Sequence, residues 1–135
     1  MGQGRFDHVG ISVADLEAAT RWYCHAFGLS MEREFSIPGT DLSGVMLLHP
    51  SGYRIELLHR PSAVPGLQPD SALTAAGTRG YGPFCLCVDD VDAEFACVIA
   101  AGGAVRMAPA AAPRQGARFA FLADPEGNLI ELLDR

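Results

Sequence analysis

The sequence predicts an α+β fold built from two tandem βαβββ modules, and three observations carry that prediction. First, one segment is written twice. Residues 46–60, MLLHPSGYRIELLHR, and residues 121–135, FLADPEGNLIELLDR, are identical at eight of fifteen aligned positions. Second, the offset of 75 residues that takes Glu56 to Glu131 also aligns residues 8–28 with 83–103, through Val13/Val88, Asp15/Asp90, Ala18/Ala93, Ala26/Ala101 and Gly28/Gly103. Third, each copy switches from strand alternation to helical spacing and back to strands. A repeat of this length marks a supersecondary unit that cannot bury its apolar face alone.

The elements follow in order. FDHVGISV alternates, with Val9, Ile11 and Val13 on one face and His8, Gly10 and Ser12 on the other, as a half-buried strand does. Asp15 is placed to cap a helix in which Leu16, Ala19, Tyr23, Ala26 and Phe27 recur at helical spacing, and Gly28 suits its end. Strands over 30–37 and 44–49 come next, then a turn through Pro50 and Gly52, then a strand over 53–59. The second copy begins with a strand over 83–88 and an Asp90 cap. Its helix runs to about Gly102 on a stripe of Val91, Phe95, Val98 and Ile99. A short strand near 104–107, the loop APAAAPRQG, a strand over 117–123, the turn DPEG and a strand over 128–134 complete it. The prolines and glycines of 61–82 read as a connector. The chain is therefore read as one domain, 1–135, with module one at 5–60 and module two at 83–135. Each module is a curved, mixed sheet covered by a helix on one side. Its other face must meet the second module, a partner chain or a ligand.

Composition narrows the function classes. Hydrophobic residues make up 49% of the chain, enough for a buried core, and the net charge is −6 without any basic stripe. Nucleic acid and anionic membrane surfaces are poor partners for such a surface. No apolar run approaches the roughly 20 residues of a membrane span, and MGQGRFDH lacks the apolar core of a signal peptide. A cytoplasmic location is expected. The cysteines, Cys24, Cys85, Cys87 and Cys97, form no C-x-x-C pair. They read as small buried hydrophobes in a reducing compartment, with a redox or thiolate-metal role as the alternative.

Four segments carry a resemblance: FDHVGISVADLEAATRWYCHAFGL, HPSGYRIELL, FCLCVDDVDAEF and LADPEGNLIELLDR. Through them nearly the whole chain resembles the vicinal oxygen chelate superfamily, which includes glyoxalase I, methylmalonyl-CoA epimerase, extradiol dioxygenases and bleomycin-resistance proteins. The resemblance implies the glyoxalase/bleomycin resistance/dioxygenase fold, with the paired modules forming a cup-shaped sheet. It implies a divalent metal ion (zinc, nickel, manganese or iron) at the floor of the cup, held from the first and last strands of each module. Carried onto this chain, those positions are His8, Glu56, Pro83 and Glu131. Each glutamate is then cup-facing, with Ile55, Leu57, Ile130 and Leu132 turned to the helices. Independently of the family, a carboxylate inside an apolar strand is costly unless a cation or hydrogen bonds compensate it. Imidazole with carboxylates suits such an ion.

Pro83 departs from the family pattern, because proline has no ligating atom where the metalloenzymes have histidine. Three donors remain: His8, Glu56 and Glu131. Water fills the fourth place, or a side chain such as His49, His59 or Tyr81 does. His25 is expected on the helix surface, and His59 on the helix-facing side of its strand. In a metal-free site, Glu56 and Glu131 would be hydrogen-bonded to Ser12, Arg54 or a protonated His8. Arg114 and Arg118 are candidates for binding an anionic ligand at the rim, against a solvated reading of both. Three functions compete. A metal-dependent lyase or isomerase of glyoxalase or epimerase type would use Glu56 or Glu131 as general base on a small oxygenated substrate. A metal-free protein of bleomycin-resistance type would only bind a small molecule. An extradiol dioxygenase would need the histidine absent at position 83. A homodimer is implied by the resemblance and by the uncovered sheet face.

Overall fold

The computed structural model describes residues 2–135, and the chain divides into two units between Val64 and Pro65. The first unit runs β1 (His8–Ser12), α1 (Leu16–Phe27), β2 (Ser30–Ser36), β3 (Ser43–Leu48) and β4 (Arg54–His59). Its sheet order is β1-β4-β3-β2, with β1 parallel to β4 and the other pairs antiparallel. The second unit repeats this as β5 (Phe84–Cys87), α3 (Val91–Ala100), β6 (Ala104–Ala111), β7 (Arg118–Ala123) and β8 (Leu129–Leu133), ordered β5-β8-β7-β6. A short helix, α2 (Ala72–Ala76), precedes it. The α+β class and the doubled βαβββ order are those read from the sequence.

Local chemistry sets the boundaries. Asp15 is extended and its carboxylate accepts the Ala18 N–H at 2.9 Å, which starts α1; Asp90 does the same for Ala93 at 3.0 Å. Gly28, at φ +67°, ends α1 in the left-handed conformation that glycine adopts without strain. On one face of the first sheet Ile55, Leu57 and Leu47 are fully buried, with Tyr23 of α1 equally buried. In the second unit Ile130, Leu132 and Leu122 are buried with Val98 of α3. Alternation therefore puts the apolar residues of each closing strand into a core and leaves the glutamate between them half-buried.

Several expectations need correction. The strand expected from residue 83 begins at Phe84, one position later than β1 does under the offset of 75. Pro83 has no N–H to give the ladder, so pairing starts after it. The strand expected over 104–107 extends to Ala111 and takes in Pro109. β6 is an edge strand, and its register shifts between Met107 and Ala110, where the proline sits. The connector holds α2, capped by Ser71, and a fixed contact: Gln68 Nε2 donates to the Glu126 carbonyl at 2.7 Å. The cysteines are not buried. All four are free, Cys24 is half-buried, and Cys85, Cys87 and Cys97 are exposed. On β5 they alternate with the half-buried Phe84 and Leu86, so Cys85 and Cys87 take the open side of the strand. Among the described residues, no helix is long and apolar enough to cross a membrane.

Arg118 is tied down rather than open to a ligand. Its guanidinium donates to both carboxylate oxygens of Asp92, at 2.6 and 2.8 Å, joining β7 to the first turn of α3. The Arg118 hydrogen bond holds the Asp92 carboxyl below its ordinary 3.8. A carboxylate with a lowered folded pKa stabilises the fold above its unfolded value and loses that effect as pH falls through the folded one. The stability difference between the wild type and Asp92→Asn is thus expected at pH 7 and should vanish as pH falls below 3.8. Urea denaturation at several pH values measures it, and a gap that widens in acid would contradict the assignment.

Candidate functional site

β1 and β4 run parallel with His8 opposite Arg54 and Gly10 opposite Glu56. Register partners share a face, so His8, Gly10, Arg54 and Glu56 project from the side away from the buried Ile55 and Leu57. Gly10 matters at this point: a Cβ there would lie 3.5 Å from Glu56 Oε2, so the glycine leaves the carboxylate uncovered.

His8 is held from behind by Asp7, whose Oδ2 lies 2.8 Å from Nδ1. That carboxylate accepts the Nδ1–H, and Nε2 faces Glu56 Oε2 at 3.5 Å. The His8 hydrogen bond, and after it the Arg54 charge, keep the Asp7 carboxyl below its usual range. Arg54 lies 3.8 Å from Asp7 and donates twice to Glu32, both bonds at 2.9 Å. The Arg54 hydrogen bond likewise lowers the Glu32 carboxyl. A charged chain Glu32–Arg54–Asp7–His8–Glu56 thus lies across three strands and the residue before β1. Asp7 and Glu32 were missed in the sequence. For Asp7 the signal was present, as an acidic residue directly before the histidine in FDHV. Arg54 was considered as a partner for Glu56, but Glu32 takes its guanidinium instead.

The His8–Glu56 distance is informative. At 3.5 Å it exceeds the 2.7–3.2 Å of a good N–H···O bond. With Nδ1–H committed to Asp7, a neutral His8 turns a bare lone pair toward a carboxylate, and two acceptors facing each other need a proton or a cation between them. Ligands bound at about 2.0–2.2 Å and set tetrahedrally around zinc lie about 3.4 Å apart. The pair fits two neighbouring ligands of one ion, backed by the carboxylate that metal-binding histidines ordinarily have.

In the second unit Glu131 pairs with Cys85 across β8 and β5. The Cys85 side chain therefore lies on the same face as the Glu131 carboxylate. Desolvation against the sheet, and then the Glu131 charge, push that thiol up to about 11. Cys85 Sγ also lies 3.9 Å from the Leu86 carbonyl. Pro83, half-buried just before β5, brings no donor atom.

The other candidates are engaged or solvated. His49 Nδ1 accepts the Ser51 N–H at 3.0 Å within its turn, and its ring stacks on Tyr53. His59 Nδ1 donates to the Val13 carbonyl at 3.1 Å. Tyr81, His25 and Arg114 are exposed. The first unit thus sets one pair of donors face to face, His8 with Glu56. Among the described residues, no three His, Cys, Asp or Glu side chains gather closely enough to hold a metal ion.

Comparison with known proteins agrees with this fold. The family model for the Glyoxalase/Bleomycin resistance protein/Dioxygenase superfamily matches residues 5–132. Lactoylglutathione lyase GLX1 of Arabidopsis thaliana is 30% identical over 134 residues, which is 97% of this chain and 44% of the relative. The chain therefore spans about half the length of the curated relatives it matches. Glyoxalase I from Zea mays superposes with a TM-score of 0.76 at 23% identity, covering 97% of this chain and 44% of that one. A glyoxalase family protein from Enterococcus faecalis gives 0.77 at 19% identity, covering 96% of both chains. These solved structures share the fold, and the family model covers nearly every residue from β1 to β8: the chain belongs to the glyoxalase/bleomycin resistance protein/dioxygenase superfamily.

Proposed function

We propose that this protein binds a small oxygenated molecule beside a divalent metal ion held by His8, Glu56 and Glu131, and acts as a lyase or isomerase of glyoxalase or epimerase type. The observation that carries this reading is the His8–Glu56 pair: an imidazole Nε2 and a carboxylate oxygen 3.5 Å apart on an open face, with Asp7 fixing the imidazole from behind. The curated relatives named lactoylglutathione lyase support the reaction class. A bound divalent ion would polarise a substrate carbonyl. Glu56 or Glu131 would take the proton next to that carbonyl as general base. Asp7 keeps the His8 ring turned with Nε2 forward, and Arg54 holds Asp7 in place while its charge is balanced by Glu32.

We propose a homodimer that completes and covers the site. The face of each sheet opposite its helix, which carries Glu56 in one unit and Glu131 in the other, supports this, because a sheet covered on one side leaves surface for a partner to cover. Light scattering should return about twice the 14.3 kDa of one chain, and one chain mass at all micromolar concentrations would refute it.

Isothermal titration of the metal-stripped protein with zinc tests the metal reading. Wild type is expected to bind, Glu56→Gln to lose binding, and Asp7→Ala to weaken it about 10–100-fold, as loss of an outer partner does. A wild type that binds no divalent ion would remove the lyase reading. Pro83 then favours a metal-free protein that only binds a small molecule.

A further inference from the structure

We infer that Phe35 selects the ligand of the first unit: the oxygenated end of the bound molecule meets Glu56, and an aromatic group attached to it stacks on the Phe35 ring. This rests on the reading that the open face binds a small oxygenated molecule, and it names the class, an aryl ketone carrying an adjacent hydroxyl.

Register places Gly10, Glu56, Met46 and Arg33 in one row across the open face, and Leu58, Gly44 and Phe35 in the row beside it. Gly10 opens the first row. A Cβ there would lie 3.5 Å from Glu56 Oε2 and 3.7 Å from Leu58 Cδ1, so one space is bordered by a carboxylate oxygen and by a methyl group. Gly44 opens the second row. A Cβ there would lie 2.5 Å from Phe35 Cζ and 2.8 Å from the Leu57 carbonyl oxygen, so the Phe35 ring leans in from the edge strand onto the bare backbone of β3. Leu58 is the register partner of Gly44, which sets it next to that ring. The face therefore passes from the Glu56 carboxylate, over Leu58, to an aromatic ring. A carboxylate accepts, so the group that complements Glu56 is a hydroxyl that donates. The exposed Arg33 guanidinium lies 5.7 Å from the Phe35 centroid, a cation–π distance that steadies the ring without burying a charge.

Core packing does not call for that ring. The core of this unit lies on the other face, with Ile55, Leu57 and Leu47, and Phe35 stays half-buried. The duplication nevertheless keeps a ring at this place by different means. Under the offset of 75, Phe35 corresponds to Ala110 and Gly44 to Phe119, and Ala110 and Phe119 are again register partners. The large and the small residue have changed strands. Each sheet still holds one phenylalanine over the same pair, in the row of the leucine two residues beyond its glutamate, Leu58 or Leu133. A ring that persists while its strand changes answers a requirement of the face rather than of one residue. In the second unit Phe119 packs edge-on against Phe121, with centroids 5.8 Å apart, so its ring is engaged within its own sheet. Phe35, in the row beside the uncovered Glu56, is the ring that meets a ligand.

The probes are 2-hydroxyacetophenone and hydroxyacetone, neutral hydroxyketones that differ only in a phenyl against a methyl group. The full chain is titrated with each and followed by NMR chemical shifts, with and without zinc chloride. Wild type is expected to bind the phenyl compound at least about 10-fold more tightly, because a ring buries more apolar surface than a methyl group. The ratio should be the same with and without the ion, since the ring contact does not involve it. Phe35→Leu keeps apolar bulk for folding and should lower the ratio about 3–10-fold, the worth of one aromatic pair. Its affinity for hydroxyacetone should be unchanged, which a merely structural role of Phe35 would not give. Phe35→Tyr keeps the ring and should keep the ratio, and so should Phe119→Leu. Equal affinities in the wild type, or a ratio that survives Phe35→Leu, overturn the role of Phe35 and leave the binding reading standing. A ratio that falls as far in Phe119→Leu overturns the assignment to the first unit. Binding of neither compound under either condition overturns both.

Discussion

Pro83→His is expected to tighten zinc binding by about 2–4 kcal/mol, one ligand's share of the roughly 10–16 kcal/mol of a four-ligand structural zinc site. That is a factor of about 30 to 1,000 in affinity. The reasoning begins with the backbone. Pro83 immediately precedes β5, in the position that His8 holds at the start of β1 under the offset of 75. Histidine tolerates extended backbone, and the N–H it brings back would let the ladder begin one residue earlier, as β1 does. The imidazole would then stand beside Glu131 as His8 stands by Glu56. Calorimetry on the metal-stripped wild type and Pro83→His measures the gain. Equal zinc affinities would show that position 83 does not face the site, and the alignment of the two modules at β5 would have to be given up.

Ile130→Ala is expected to cost about 2–5 kcal/mol of stability, the range for emptying a buried aliphatic site. Ile130 is fully buried in β8, between Phe84 of β5 and Leu122 of β7. Truncation removes its contacts with both neighbours and leaves a void that a sheet held on two sides closes only in part. Because marginal domains have about 5–15 kcal/mol in all, the variant loses a large fraction of its stability. Its midpoint in urea should fall with an unchanged slope. A loss below about 1 kcal/mol would mean that the site collapses onto the vacancy, and that Ile130 is not the anchor its burial implies. The neighbouring Glu131 points to the opposite face, so a folded Ile130→Ala should bind metal as the wild type does.

Much of this was legible in the chain, for reasons that differ from residue to residue. Asp15, Asp90 and Gly28 act within a turn of their own positions, so their roles follow from spacing alone. The alternation Ile55–Glu56–Leu57 and Ile130–Glu131–Leu132 assigns each glutamate to the face opposite the core, because successive side chains in a strand must point to opposite sides. The length of β6 was not legible. Proline argues against a strand, and only the edge position and the bulge at 107–110 make Pro109 tolerable. The burial expected of the cysteines failed for a related reason: residue type does not say which side of its strand or helix a cysteine takes, and Cys85 and Cys87 take the open side of β5.

The sequence by itself determined the elements, their doubling, their caps and the faces of the strands, because these depend on periods of 2 and 3.6 and on contacts a few residues long. The tertiary structure alone decided the partners. Arg54 meets Glu32 across 22 residues of chain, and Cys85 meets Glu131 across 46. Such pairs depend on the register between strands, which is set by how a whole sheet packs its buried face against a helix. Periodicity tells which side of a strand a donor lies on. Only the packed sheet sets which donor it faces and at what distance.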